Sequence, residues 1–179
     1  MKNLIVIFLS VHNFLYGLEY QEKEKVRYSF YSAIEFNDSM NVFKSHLKEL
    51  LKKYPNSNFL LFYTGAYETL EAKHSWNVYD KFVKLKSGLK KISEIIINDP
   101  NNIEFRFIRF SILHYIPSFL GYDNLLREDL QKIVELLLNE QLNDISSNYK
   151  KGIIEFLFRS RRLDNYSRLQ LNILYRELQ

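Results

Sequence analysis

The chain contains no cysteine. Disulfides, thiol nucleophiles, thiolate metal sites and N-terminal lipoprotein acylation are thereby excluded. Glycine (five) and proline (three) are also scarce among the 179 residues. That is too few for a turn-rich β-sandwich or a glycine-loop nucleotide binder. No Gly-rich phosphate loop, nucleophile elbow or His-Glu-x-x-His is present, and His12, His46, His74 and His114 do not fall at metal-ligand spacing. The histidines therefore give no metal site, and no cofactor is expected. No segment keeps a period of two, which argues against a sheet.

What is present suits a packed helical core. Hydrophobic residues make up 46% and aromatic residues 16%, mostly Phe and Tyr. The net charge is +4. Residues 145–179 hold seven basic against three acidic side chains, so the excess can be assigned to that segment. Arg159, Arg161 and Arg162 cluster there. Their simplest role is to complement a helix C-terminus, with acidic partners or lipid headgroups as sharper readings.

Residues 1–17, MKNLIVIFLSVHNFLYG, have the outline of a secretory signal: one lysine, an apolar run and a small residue at the end. The run is shorter than the roughly 20 residues a membrane span needs. A mature domain of residues 19–179 is expected, periplasmic, at the cell surface or extracellular. Export would separate it from nucleic acid, and no transmembrane span is expected in the mature chain.

Periodicity predicts helices over about 19–36, 40–53, 59–73, 78–98, 102–116, 125–139, 148–159 and 163–178. The inward residues are Val26, Phe30 and Ala33 or Ile34, then Val42 or Phe43 with Leu47 and Leu50. Tyr63, Ala66, Tyr67 and Leu70 follow, then Phe82, Leu85, Leu89, Ile92 and Ile96. The last helix offers Leu169, Leu171, Ile173 and Leu174. Ser57, Asn101 or Asn102, Asp123 or Asn124, and a residue of 144–147 are the cap candidates. Gly65 and Ala66 are small enough to admit a neighbouring helix.

The stretch from Asp99 to Asn124 organises the rest. Ile103, Phe107, Phe110 and Leu113 recur at helical spacing, and Ile108 and Ile112 widen the stripe until the helix is apolar around most of its girth. It should therefore be central. Pro117 ends or kinks it, and Gly121 permits a positive-φ turn.

Two helix pairs end alike, at Lys53-Tyr54-Pro55-Asn56-Ser57 and at Asn98-Asp99-Pro100-Asn101-Asn102. This is how a tetratricopeptide-like unit closes. Gly65 and Gly88 fall at the small-residue positions. Pro55 and Pro100 are 45 residues apart, longer than the usual repeat of about 34. An insertion around 73–80 would account for the excess. The expected fold is all-α: seven or eight helices in stacked antiparallel pairs, a tetratricopeptide-like right-handed array.

Residues 58–135 resemble a family of exported bacterial helical proteins with no assigned activity. The likeness rests on Ala72, Lys73, Lys81 and Gly88, then Pro100, Asn102, Glu104, Arg106, Phe107 and Arg109. It continues through Pro117, Phe119, Leu120, Gly121, Tyr122 and Asp129. The resemblance implies a helical fold and leaves the activity open.

Arg106 and Arg109 are the first candidates for function. Arginine in an apolar helix is costly unless a carboxylate pairs it. Glu68, Glu71, Glu104 and Asp129 are candidate partners. Either the two lock neighbouring helices, or they form an anion or carboxylate clamp. Tyr63, Tyr67 and Tyr122 could line a peptide groove, or belong to the core. The acid pairs Glu68/Glu71 and Glu128/Asp129 could serve hydrolysis only if held across a cleft. The reading these residues favour is a non-catalytic interaction module binding another protein or an envelope component. A small-ligand or anion binder, or a hydrolase, built on Arg106 and Arg109 is the alternative.

Overall fold

A computed structural model describes residues 18–139 and 145–178; the leader expected at 1–17 lies outside them. The described chain is all-helical. Eight helices are seen: α1 Tyr20–Glu35, α2 Ser39–Lys53, α3 Asn58–His74, α4 Val78–Asn98, α5 Ile103–His114, α6 Asp123–Leu138, α7 Ser147–Ser160 and α8 Asn165–Glu177. A 3-10 turn, Ser118–Leu120, joins α5 to α6. Two compact units meet in sequence at Ile95 and Ile96.

The helix starts follow from side chains that satisfy free backbone N–H groups. Ser57 accepts from Leu60, Asn102 from Phe105, Ser146 from Tyr149 and Asp164 from Ser167. Asp123 is not a cap. It occupies the first turn of α6, behind Tyr122, where its charge complements the helix dipole. Gly121 takes φ 81°, the left-handed turn its lack of a Cβ allows.

In the first unit, Phe30 of α1, Phe43 of α2 and Tyr63 of α3 meet at ring-centroid distances of 5.3–6.3 Å. Helices α1 and α2 run antiparallel. Glu22 near the start of α1 pairs with Lys53 at the end of α2 (3.1 Å), and Ser29 meets His46 midway. The choices left open by periodicity resolve inward for Ala33 and Phe43, outward for Ile34 and Val42.

Helices α3 and α4 also run antiparallel, crossing at Gly65 and Gly88. A Cβ on Gly88 would lie 2.6 Å from the Gly65 carbonyl oxygen and 2.7 Å from Thr69 Cγ2. Beside the crossing, Glu68 accepts from Ser87 (2.9 Å) and pairs with Lys91. The insertion expected around 73–80 falls mostly within the two helices, as their predicted bounds imply. Only Ser75-Trp76-Asn77 separates the two helices, and Asn77 Oδ1 accepts from Tyr79 N at 2.8 Å to open α4. The extra length thus extends the hairpin beyond its crossing. Leu89, Ile92 and Ile96 are buried as expected, whereas Phe82, placed on the same stripe, is 43% exposed because the stripe outruns its cover.

In the second unit, every residue of α5 from Ile103 to Phe110 is buried. One side faces α6 through the two arginines, and another meets Phe156 of α7 through Phe107 (5.4 Å) and Phe110 (6.0 Å). Helices α7 and α8 are antiparallel, with Tyr175 donating to Glu155 (2.6 Å) and Arg168 over the Phe158 ring. Helix α8 departs from expectation. Only Leu171 is buried, while Leu169 and Ile173 are exposed, since its neighbours cover one narrow side.

Candidate functional site

Arg106 and Arg109 stand one turn apart on α5, so their side chains leave the same face. Glu128 and Asp129 are in α6. Arg109 forks onto Asp129: Nε donates to Oδ2 at 2.7 Å and Nη2 to Oδ1 at 2.6 Å. Arg106 Nη1 donates to Asp129 Oδ1 (2.9 Å) and Glu128 Oε1 (2.6 Å), and its Nε to the Pro100 carbonyl (3.0 Å). Asp129 is completely buried, and Arg109 and Arg106 nearly so. Two positive charges and the Asp129 carboxylate therefore meet with little water present, while Glu128 reaches the group from the exposed side. Burial works against the charge on Arg106, and the bonds to Glu128 and Asp129 outweigh it, so its guanidinium holds its proton more tightly than usual.

This is the geometry of a lock between two helices. Of the four carboxylates weighed as partners, Asp129 takes the central place. Glu128, considered only as half of an acid pair, completes it. Glu68 and Glu71 are engaged within the first unit, Glu71 accepting from the Tyr67 hydroxyl at 2.9 Å. The pair Glu128/Asp129 does not face an open cleft, because the two arginines occupy it.

Of the two places open to the tyrosines, groove or core, Tyr63 and Tyr67 take the core. Tyr63 is fully buried, on the side of α3 that meets both α1 and α2, with Phe30, Phe43, Phe59 and Phe62 around its ring. Tyr67 is buried beside it, and burial followed by the bond to Glu71 raises its hydroxyl pKa. Both are core residues and offer a partner almost no surface. Tyr122 is half-buried ahead of α6, in the other unit.

His114, at the end of α5, accepts from Arg162 Nε at 3.0 Å through Nδ1 and packs edge-on against Phe156 and Tyr115. Burial, then the Arg162 charge, lowers its pKa. A folded-state value below the unfolded value of about 6.5 means that the unfolded chain binds more protons between the two. The stabilising effect is complete above the unfolded pKa and is lost as pH falls through the folded one. The urea midpoint is accordingly expected to drop on acidification below about pH 6.5, and His114→Gln to flatten that part of the profile. An unchanged slope in the variant would contradict the assignment.

Sequence reasoning overlooked the outer face of α1. Tyr20, Tyr28, Tyr31 and Ile34 fall within one side of the helix and are all exposed. The clue was their position off the Val26–Phe30–Ala33 stripe. Tyr28 borders an open hollow of about 470 Å³ with Glu24, Lys25, Ser29 and His46.

The fold and this surface define an all-α protein with a helix-locking arginine pair and an exposed tyrosine face. No family model, curated protein or solved structure matches the chain. No described helix is long and apolar enough to cross a membrane.

Proposed function

We propose that this chain is a non-catalytic protein-interaction module of the bacterial cell envelope. It is exported by means of residues 1–17 and built from degenerate tetratricopeptide-like helix pairs. The repeat reading draws support from the α3–α4 pair, whose two glycines meet at the crossing and whose second helix is followed by Pro100. The observation that carries the interaction reading is the tyrosine face of α1. Tyrosine supplies large, rigid contact area with a polar tip, and is enriched where proteins meet. Tyr20 and Tyr28 are largely exposed there, and Tyr28 borders a hollow that carries both signs of charge. The alternative clamp or hydrolase has little support, because both guanidiniums are turned to Asp129, Glu128 and Pro100 and nearly closed to solvent.

A photo-crosslinking residue at position 28 or 31 tests this in cells. It is expected to give one adduct of discrete mass, absent when the same residue is placed at 48 on α2. No adduct, or equal labelling at all three positions, would refute the tyrosine face as the contact. Fractionation and sequencing of the mature N-terminus test the export step separately.

A further inference from the structure

We propose that the tip of the α3–α4 hairpin docks into the surface of an anionic lipid bilayer. Beyond the glycine crossing, both helices continue for about ten residues; α3 stays packed as far as Ala72, and Lys73 donates to the Ile34 carbonyl of α1, so the uncovered part is the connecting turn and the start of α4. That part is apolar. Trp76 is fully exposed, Val78 81% and Tyr79 73%, with Phe82 and Val83 about half that. Side chains of this size gathered at one exposed turn are unusual for a surface facing only water.

The charges around the tip identify the occupant. Residues 72–91 hold six lysines and a single acidic residue, Asp80. Asp80 lies two positions from both Val78 and Phe82, hence on the opposite side of α4. Lys81 and Lys86 flank the apolar side and are exposed. Lysine can lay its stem along apolar surface while its ammonium reaches outward. Tryptophan and tyrosine favour the boundary between headgroups and acyl chains. An exposed aromatic turn with lysines beside it matches a negatively charged bilayer. A second copy would bring the same lysines together. The tip would lie in the interface at a depth of about 5–10 Å, the regime of a surface helix. This surface is distinct from the tyrosine face of α1, and the inference does not depend on that reading.

Trp76 is the only tryptophan in the chain, so its fluorescence reports on the tip alone. The full-length chain is titrated with phosphatidylglycerol–phosphatidylcholine vesicles, phosphatidylcholine vesicles and soluble glycerol phosphate. Emission is expected to shift to shorter wavelength with the anionic vesicles, and to be quenched by lipids brominated on the acyl chain. The other two additions should leave it unchanged. Lys81→Gln/Lys86→Gln is expected to raise the half-saturating lipid concentration roughly 25-fold, at about fivefold per lysine. Tyr79→Ser/Phe82→Ser should abolish bromolipid quenching with helicity unchanged. The proposal fails if Trp76 is not quenched by anionic vesicles or responds equally to neutral ones. It also fails if the aromatic variant behaves like the parent, or if the shift follows protein concentration without lipid, which would indicate pairing of two chains. Attachment through any other part of the chain would leave Trp76 unmoved and counts against it.

Discussion

Asp129→Ala is expected to cost the second unit about 3–5 kcal/mol, because it removes the buried carboxylate that two buried guanidiniums share. For a unit of this size that corresponds to a fall in unfolding midpoint of well over ~10 °C. The geometry explains why this carboxylate outranks its neighbour. Asp129 is fully buried and takes three of the four hydrogen bonds to the pair of carboxylates, whereas the Glu128 side chain is 57% exposed and takes one. Glu128→Ala should therefore cost under about 1 kcal/mol, as a part-exposed ion pair does. Asp129→Asn keeps the shape and removes the charge, and is expected to fall near the alanine variant. Replacing all three groups together, Arg106→Met/Arg109→Leu/Asp129→Leu, should recover most of the loss, since an apolar core is often as stable as a buried ion pair. Chemical denaturation of the four variants decides the point. If Asp129→Ala lies within about 0.5 kcal/mol of the parent, a shift typical of unremarkable surface sites, the network is not a lock.

That network also shows where the sequence is informative and where it falls short. The central position of α5 could be read directly, because apolar residues surround nearly its whole girth and only a rod enclosed by other elements tolerates that. The need for a carboxylate beside Arg106 and Arg109 was equally plain. Which carboxylate was not, since the partner lies 20 residues away along the chain and the choice depends on how α6 rotates against α5. Helix ends were legible to within two residues, because Ser57, Asn102 and Ser146 act through backbone groups three positions on, a purely local effect. Tyrosine was where sequence reasoning failed. Tyr63 and Tyr28 are the same residue type in amphipathic helices, and only tertiary packing makes one the centre of a core and the other a free surface. The same limit applies to Phe82. Its spacing assigns it to the inner stripe of α4, and no local signal reveals that the side chain is left 43% exposed at that end of the helix.

Gly88→Ala should destabilise the first unit by about 1–3 kcal/mol, the range for forcing a group into a packed contact. On helix propensity alone the sign would be opposite. Alanine is favoured over glycine by about 1 kcal/mol in a helix interior, and Gly88 lies in the middle of α4. The added Cβ would meet a backbone carbonyl at 2.6 Å, and a carbonyl fixed in a helix cannot rotate away as a side-chain end can. The two helices must separate, and separation also disturbs the bonds from Ser87 and Lys91 to Glu68. Gly65→Ala follows the same logic with slightly more room: its nearest atom is the Gly88 carbonyl oxygen at 2.9 Å, followed by the side-chain atom Ile92 Cγ1 at 3.0 Å. Gly152, in α7, provides the control. Nothing lies within 4 Å of a Cβ built there, so Gly152→Ala is expected to stabilise by up to about 1 kcal/mol. One substitution made at three helical glycines should thus give a large loss, a smaller loss and a gain. Equal effects at Gly88 and Gly152 would mean that α3 and α4 do not approach as closely as the crossing requires. The extension of the hairpin beyond that crossing would then lose its fixed base.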